Sequence, residues 1–223
     1  MSRPDAILFD WDNTLVDTWP CIIKAMNTTL EAMGQDPWTE EEAQRRIARS
    51  LREAFPDLFG DAWEEAAEIF YRTFGEVHID MLRPLPGAAD LLKGLAEEGV
   101  LLAVVSNKTG RYLRQEADHL GWTPYFHRLV GAGDAPRDKP ATDVVHLALK
   151  GSGIDPAEHV VWFVGDMPVD VQCARDSGCR SVLLRPAAPD AQEFAKCAPD
   201  IHISETGALL EHLREQTVSN ARV

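Results

Sequence analysis

Two acidic residues, Asp10 and Asp12, are the part of this sequence where residue type and spacing most clearly indicate chemistry. They directly follow a short apolar run at residues 6–9, which is typical of a buried strand. In open α/β sheets, ligands bind outside the carboxyl ends of the strands. Two carboxylates so close together repel each other, so we expect a bound cation or a proton to compensate their charge.

Other polar residues follow later apolar runs in the same way. Ser106 and Asp166 each end such a run, and Asp170 comes four residues after Asp166. Lys139 opens a helical segment between two of the runs. Any one of these residues could simply cap a helix, because Ser and Asp are common at helix N-termini. The whole set at successive strand ends favours a shared site instead.

The residue types of this set favour phosphoryl transfer. If the strand before Asp10 and the strand before Asp166 are neighbours, the carboxylates of Asp10, Asp12 and Asp166 meet at one edge of the sheet. Two like charges ~4 Å apart cost about 4 kcal/mol at an effective dielectric constant near ~20, so such acids need compensation. Hard oxygen ligands select Mg²⁺, which also shares the oxygens of a substrate phosphate. The Ser106 hydroxyl and the Lys139 ammonium suit the remaining phosphoryl oxygens.

Motifs for other chemistries are absent from the sequence. There is no G-x-G-x-x-G after a strand, no Walker loop and no G-x-S-x-G nucleophile elbow. The seven His residues include no pair at metal-ligand spacing, and the four Cys residues include no C-x-x-C. Ordinary packing is therefore the expected role of both residue types.

Strand and helix patterns alternate over most of the chain, which predicts an α/β fold with a three-layer, Rossmann-like parallel sheet. Residues 1–16 plus 84–223 are expected to form this catalytic core. The predicted strands lie at residues 6–9, 100–105, 160–164 and 181–184, with weaker candidates at 128–130 and 201–203. The predicted helices lie at residues 87–98, 110–120, 142–150 and 169–177, and the polar tail from about Gln216 is expected to fray.

Residues 17–83 interrupt that alternation and contain no convincing strand. Their pattern predicts an inserted, all-helical cap domain with helices at residues 20–33, 39–54 and 61–79. Thr39 and Glu42 have the spacing of a capping box at the start of the second helix.

Composition limits the partners that the protein can have. Lys and Arg number 22 against 36 Asp and Glu, a net charge of −14 that repels phosphate backbones, so no nucleic-acid partner is expected. No apolar run approaches the ~20 residues that cross a membrane, and the first residues lack a signal-peptide core. A cytoplasmic protein without a membrane partner is the expectation. No pattern in the sequence indicates an oligomeric state.

Four separated motifs resemble those of the haloacid-dehalogenase-like hydrolase superfamily, in its phosphoglycolate-phosphatase-like branch. They cover nearly the whole chain, and Asn13 stands in the first motif where Gly is commoner. The motifs are the stretch from Phe9 to Asp17, Ser106-Asn107-Lys108, Lys139-Pro140, and Gly165-Asp166 with Asp170. All four in this order, with a helical insertion after the first, are specific to the family.

The resemblance implies a role for each motif. Asp10 would be the nucleophile that forms an aspartyl-phosphate, and Asp12 would be the general acid and base. Mg²⁺ would be held by Asp10, the main-chain carbonyl of Asp12 and Asp166, with Asp170 in support. The remaining contacts would come from Ser106 and the Asn107 main chain, which bind phosphoryl oxygens, and from Lys139, which neutralises charge.

Asp12 narrows the reaction that the resemblance implies. Dehalogenases of the superfamily lack this second acid, because a halide leaving group needs no proton. A phosphatase acting on a small phosphorylated metabolite, such as phosphoglycolate, is therefore the leading hypothesis. A sugar-phosphate mutase built from the same residues is the second hypothesis. A catalytically silent regulatory protein is the third, although binding alone would not require Asp12.

Within the insertion, residues 44–52 resemble the substrate-facing loop of the family. Arg49 and Arg52 could bind an anionic leaving group such as a carboxylate, for which Arg has the right bidentate geometry. The alternative is a solvated basic helix face whose arginines pair with neighbouring acids.

Overall fold

The computed structural model describes residues 3–47 and 51–220, with the backbone alone for residues 44, 51–53 and 216–220. The chain forms two compact units. One consists of Met1–Val16 and Pro84–Val223, and the other of Asp17–Arg83. Within the described residues, the strands are β1 (Ala6–Phe9), β2 (Val16–Asp17), β3 (Arg83–Pro84), β4 (Leu101–Thr109), β5 (Arg128–Ala132), β6 (Val161–Gly165), β7 (Arg180–Leu184) and β8 (Ile201–Ile203).

The larger unit is an α/β fold built on a parallel sheet with the strand order β5-β4-β1-β6-β7-β8. The short strands β2 and β3 form a separate two-stranded sheet. Every residue of β1 and β6 is buried, as expected for central strands covered on both faces. This result confirms the predicted Rossmann-like core and the pairing of the strands predicted at residues 6–9 and 160–164.

Register explains why the polar residues converge. Phe9, the last residue of β1, pairs with Val104 of β4 on one side and with Val164 of β6 on the other. The residues that follow these three positions therefore emerge at the same edge of the sheet. This edge carries Asp10, Ser106 and Asp166.

Helices flank the sheet of the larger unit. In the described part of the chain they are α5 (Ala88–Glu97), α6 (Gly110–His119), α7 (Asp143–Leu149), α8 (Pro168–Asp176) and α9 (Thr206–Asn220). The last helix has no counterpart among the predicted elements, and the expectation of fraying from about Gln216 is wrong for the backbone up to Asn220.

The smaller unit is helical, with α1 (Trp19–Ala32), α2 (Glu40–Arg46), α3 (Leu51–Phe59) and α4 (Trp63–Met81). Its interior contains an edge-to-face ring contact between Phe55 and Phe70, with centroids 5.6 Å apart. The capping box of Thr39 and Glu42 is confirmed. The single helix predicted for residues 39–54 is wrong, because α2 ends at Arg46 and α3 begins at Leu51. The intervening sequence contains no Gly or Pro that would have signalled the break.

No helix in the described ranges has both the length and the apolar character needed to span a bilayer. The four cysteines are buried, in agreement with the packing role that the sequence analysis expected.

Candidate active site

The site begins where β1 ends. The Asp10 main-chain N–H donates to the carbonyl of Val164 at 2.8 Å, which ties the residue to the edge of β6. Asp10 is buried. Its Oδ1 atom lies 2.8 Å from the Lys139 ammonium, and within the described part of the chain no other group donates a hydrogen bond to it. This carboxylate is held firmly and still has capacity for a ligand.

A tight turn follows Asp10 and aims the next side chains. The carbonyl of Trp11 accepts from the N–H groups of Leu15 and Val16 at 3.0 and 3.2 Å. Asn13 has a φ of 59°, in the left-handed region that Asn tolerates better than most residues. This conformation explains why Asn can stand where the family motif more often has Gly. The turn also buries Thr14, whose hydroxyl donates to Asp166 Oδ1 at 3.2 Å.

The end of β4 is irregular, and the irregularity shapes the second motif. The pairing of β4 with β5 shifts between Val105 and Thr109, so Ser106, Asn107 and Lys108 lie in a bulged stretch. Bulges of this kind redirect side chains and are common beside active sites. Gly131 of β5 lies against the stretch so closely that a Cβ atom there would be 2.6 Å from the Lys108 carbonyl oxygen.

Asn107 has a contact that the sequence did not indicate. Its Oδ1 accepts from the Lys139 N–H at 3.0 Å, and its Nδ2 donates to the Lys139 carbonyl at 3.2 Å. The second motif therefore fixes the main chain of the third. Ser106 is buried, and its Oγ accepts from the Lys108 N–H at 3.2 Å.

Lys139 lies between two carboxylates. Its Nζ is 2.8 Å from Asp10 Oδ1 and 2.7 Å from Asp170 Oδ1. Burial alone would favour the neutral amine, but the charges of Asp10 and Asp170 outweigh it and raise the pKa of Lys139. The side chain is therefore a fixed cation next to the predicted nucleophile.

Asp166 and Asp170 complete an acidic group at the end of β6. Oxygen atoms of Asp10, Asp166 and Asp170 lie within 4.8 Å of one another. Burial and the charges of Asp170 and Asp10 raise the pKa of Asp166 well above its ordinary value. Burial is also the largest cause that raises the pKa of Asp170, to about 6. We call Asp10, Lys139, Asp166 and Asp170 the Lys139 cluster.

The donor set of this cluster fits a divalent cation. Three carboxylates face one ammonium, so two negative charges are uncompensated when all four groups are ionised. The donors are hard oxygen atoms, and one of them, Asp10 Oδ1, has the Lys139 ammonium as its neighbour on one side. Asp170 is bound by Lys139 and by the Met167 N–H at 3.0 Å, which suits a supporting role.

Asp12 is separated from this acidic group. Its carboxylate lies 2.6 Å from Lys108 Nζ, and its side chain is 25% exposed, whereas that of Lys108 is 4% exposed. Lys108 also lies 3.0 Å from Glu116 of α6. The sequence motif contained Lys108 but gave it no role, and no local pattern indicated Glu116.

Neither of the two arginines predicted to bind substrate, Arg49 and Arg52, has a described side chain. Arg49 lies outside the described residues. Arg52 lies in α3, but its side chain is not described. The proposal that these arginines bind an anionic leaving group therefore stays a prediction.

The motifs and their arrangement agree with comparisons to known proteins. The chain belongs to the haloacid dehalogenase-like hydrolase family, whose model matches residues 7–184. It is 29% identical over 217 residues to phosphoglycolate phosphatase 1 of Pseudomonas aeruginosa, covering 93% of this chain and 79% of that protein. A phosphoglycolate phosphatase of Pseudomonas fluorescens is 28% identical over 217 residues with the same coverage.

A solved structure supports the fold. It is described as a predicted phosphoglycolate phosphatase from Haemophilus somnus 129PT and matches with a TM-score of 0.79 and 24% identity, over 95% of this chain and 99% of that chain. The family and its curated members identify the present chain as a phosphatase that resembles phosphoglycolate phosphatases. The resemblance inferred from the sequence is thereby confirmed.

Proposed function

We propose that the protein is a Mg²⁺-dependent phosphomonoesterase that hydrolyses a small phosphorylated metabolite through an aspartyl-phosphate on Asp10. The observation that carries the proposal is the position of Asp10 Oδ1. It is a buried carboxylate oxygen that lies 2.8 Å from the fixed Lys139 ammonium, and no other described group donates a hydrogen bond to it. Such an oxygen is available to a metal ion or to a phosphoryl group.

In the first step, a carboxylate oxygen of Asp10 attacks the phosphorus atom and the ester P–O bond breaks. The electron pair of that bond goes to the leaving oxygen, which takes a proton from the Asp12 carboxyl group. Lys139 neutralises charge on Asp10 and on the transferred group, while Ser106 and the Asn107 main chain hold phosphoryl oxygens.

In the second step, the Asp12 carboxylate accepts a proton from a water molecule that attacks the phosphorus atom. The acyl phosphate bond breaks, inorganic phosphate leaves and the Asp10 carboxylate is restored. Asp10, Asp166 and the Asp12 main-chain carbonyl would hold Mg²⁺, and Asp170 would orient them. When bound, the ion supplies positive charge opposite the phosphoryl oxygens.

Phosphoglycolate is the first substrate to test, because the curated relatives carry that name. Its leaving group bears a carboxylate, which Arg49 or Arg52 of the helical unit could bind. That unit, residues 17–83, is proposed to act as a cap that excludes water during transfer.

The test is release of inorganic phosphate from a panel of phosphorylated metabolites, with Mg²⁺ and with a chelator. We expect turnover that requires Mg²⁺ and that falls at least about 10³-fold in Asp10→Asn, because the nucleophile is lost. Glu97→Gln, in the exposed pair of Lys93 and Glu97, is the matched control and should retain the activity. Turnover near the wild-type rate in Asp10→Asn would remove Asp10 as nucleophile.

The same assay separates the alternative that the sequence left open. A sugar-phosphate mutase would convert a sugar phosphate to its isomer and release little phosphate. Steady phosphate release without an isomerised product supports hydrolysis.

A further inference from the structure

Besides the Lys139 cluster, the four side chains of Trp11, Asp12, Lys108 and Glu116 form a second polar group, which we call the Lys108 network. Lys108 Nζ lies 2.6 Å from Asp12 Oδ1 and 3.0 Å from Glu116 Oε2. The indole N–H of Trp11 donates to the same Glu116 oxygen at 2.7 Å. Because Trp11 and Asp12 are consecutive, the contacts close a ring through the main chain.

The network is buried everywhere except at Asp12. The side chains of Lys108 and Glu116 are 4% and 1% exposed, and that of Asp12 is 25% exposed. Burial lowers the pKa of Lys108, but the charges of Asp12 and Glu116 outweigh it and the pKa is raised. The lysine is therefore charged, and its fixed charge points toward the one partly open carboxylate.

The far side of the ring is rigidly packed. Trp11 is fully buried and makes edge contacts with Trp122 and Phe126, with ring centroids 5.8 and 6.4 Å apart. Glu116 lies in α6, eight residues beyond Lys108. The turn after β1, the end of β4 and α6 therefore fix one another through these side chains.

Stability alone does not account for this arrangement. Buried ion pairs are often no more stabilising than apolar residues of similar volume, because desolvation cancels most of their attraction. A lysine held by Asp12 alone could move with it, whereas a second, fully buried carboxylate gives the lysine a fixed location. The geometry therefore serves placement.

We propose that Glu116 and Lys108 are positioning residues of the phosphatase reaction: Glu116 fixes Lys108, and Lys108 fixes the carboxylate of Asp12 for proton transfer. The proposal rests on the acid–base role assigned to Asp12 under the proposed function. Neither residue is assigned a contact with substrate.

Leaving-group dependence tests this proposal. An acid catalyst matters most for an alkoxide such as glycolate and least for p-nitrophenolate, which leaves without a proton. We expect Lys108→Met to slow phosphorylation by phosphoglycolate about tenfold or more and Glu116→Gln about three- to tenfold, with KM within about twofold. With p-nitrophenyl phosphate as substrate, the initial burst of p-nitrophenolate should keep its rate, because this leaving group needs no proton. The steady-state rate after the burst should fall, because Asp12 also accepts the proton of the attacking water.

Equal slowing of the burst and of phosphoglycolate cleavage in both variants would overturn the proposal, since it would indicate general damage to the site. Wild-type kinetics in both Lys108→Met and Glu116→Gln would also overturn the proposal. If Lys108→Met fails to fold, Glu116→Gln still decides the matter, because glutamine retains the size of glutamate and removes the negative charge that holds Lys108.

Two measurements keep this test separate from the proposed function. Asp12→Asn should show the same leaving-group pattern, more strongly than either network variant. If it does and the network variants behave as wild type, the positioning proposal fails while the proposed function survives. The rise in melting temperature caused by Mg²⁺ should persist in Lys108→Met and Glu116→Gln, because their side chains lie outside the Lys139 cluster.

Discussion

The two buried lysines of the site, Lys139 and Lys108, have similar partners and different surroundings. Each pairs with two carboxylates, at 2.7 and 2.8 Å for Lys139 and at 2.6 and 3.0 Å for Lys108. The Lys139 cluster contains a further acid, Asp166, whose pKa is strongly raised by burial and by its acidic neighbours. The Lys108 network instead ends in the N–H of Trp11, which donates to Glu116.

This difference separates a site that needs a cation from one that fixes a geometry. In the Lys139 cluster, negative charge exceeds positive charge by two when all four groups are ionised, and among the described residues a buried Asp10 oxygen has the Lys139 ammonium as its one donor. In the Lys108 network, two carboxylates share one ammonium, and an indole N–H binds the more buried of them. Similar ion pairs can therefore support different tasks within one active site.

Among the variants that test this comparison, the largest effect is expected from removing the lysine of the Lys139 cluster. Lys139→Met should slow phosphorylation by about 10²–10³-fold for phosphoglycolate and for p-nitrophenyl phosphate alike, because the lost charge faces the nucleophile and the transferred group. Burst kinetics with both substrates measure it. Slowing confined to phosphoglycolate would contradict the distinction from Lys108.

Mg²⁺ should stabilise the protein through the cluster. Burial raises the pKa of Asp170 to about 6, and that of Asp166 is also raised. The metal-free fold therefore binds more protons than the unfolded chain, and its stability falls as pH rises from the ordinary carboxyl range through about 6. Mg²⁺ at 100 times its dissociation constant should add about 2.7 kcal/mol at neutral pH, and less at about pH 5, where protons compete for the same carboxylates.

Thermal melts at the two pH values, with and without Mg²⁺, measure this effect. Asp166→Asn should lose most of the Mg²⁺ stabilisation, whereas Lys108→Met should keep it. A shift that is unchanged in Asp166→Asn would place the ion elsewhere.

A smaller effect is expected at Gly165. A Cβ atom there would collide with the side chain of Asp170, so Gly165→Ala must displace that carboxylate. We expect a loss of about 1–3 kcal/mol in unfolding free energy and weaker Mg²⁺ stabilisation. Gly207→Ala is the matched control, because a Cβ atom at Gly207 has no neighbour within 4 Å. Equal Mg²⁺ shifts in both variants would show that Asp170 has not been displaced.

The smallest effect concerns the turn after the nucleophile. Asn13 has a φ of 59°, which glycine adopts freely. Asn13→Gly should have a free energy of unfolding about 1 kcal/mol higher than that of Asn13→Ala, because alanine adopts a left-handed backbone at a cost and glycine does not. Urea unfolding of the two variants checks this order, and a more stable alanine variant would refute the explanation for this position.

Most of the correct predictions came from short local patterns, such as an apolar run followed by an acidic residue. Asp10 follows an apolar strand and Asp166 follows another, so parallel pairing predicted that they meet at one edge of the sheet if the two strands are neighbours. The structure pairs these strands, β1 and β6, directly. The pairing of Lys139 with Asp10 was implied by the family resemblance of the third motif, and the structure has this pair.

The contacts of Trp11 with Glu116 and of Asn107 with Lys139 could not be predicted from the sequence. Trp11 and Glu116 are 105 positions apart, and only the packing of α6 brings them together. Asn107 resembled a phosphate ligand, and its bonds to the Lys139 main chain depend on the bulge in β4, which no local pattern marks. The break between α2 and α3 was missed because residues 39–54 contain only helix-compatible types.

We propose above all that Asp10 carries the phosphoryl group during turnover. Rapid acid quenching of the wild-type protein with phosphoglycolate and Mg²⁺, followed by mass spectrometry, tests it most directly. We expect a phosphate-sized mass increase that is confined to the peptide containing Asp10. This increase should be absent when a chelator is present and absent in Asp10→Asn. Phosphate on another peptide, or undiminished labelling of Asp10→Asn, would contradict it.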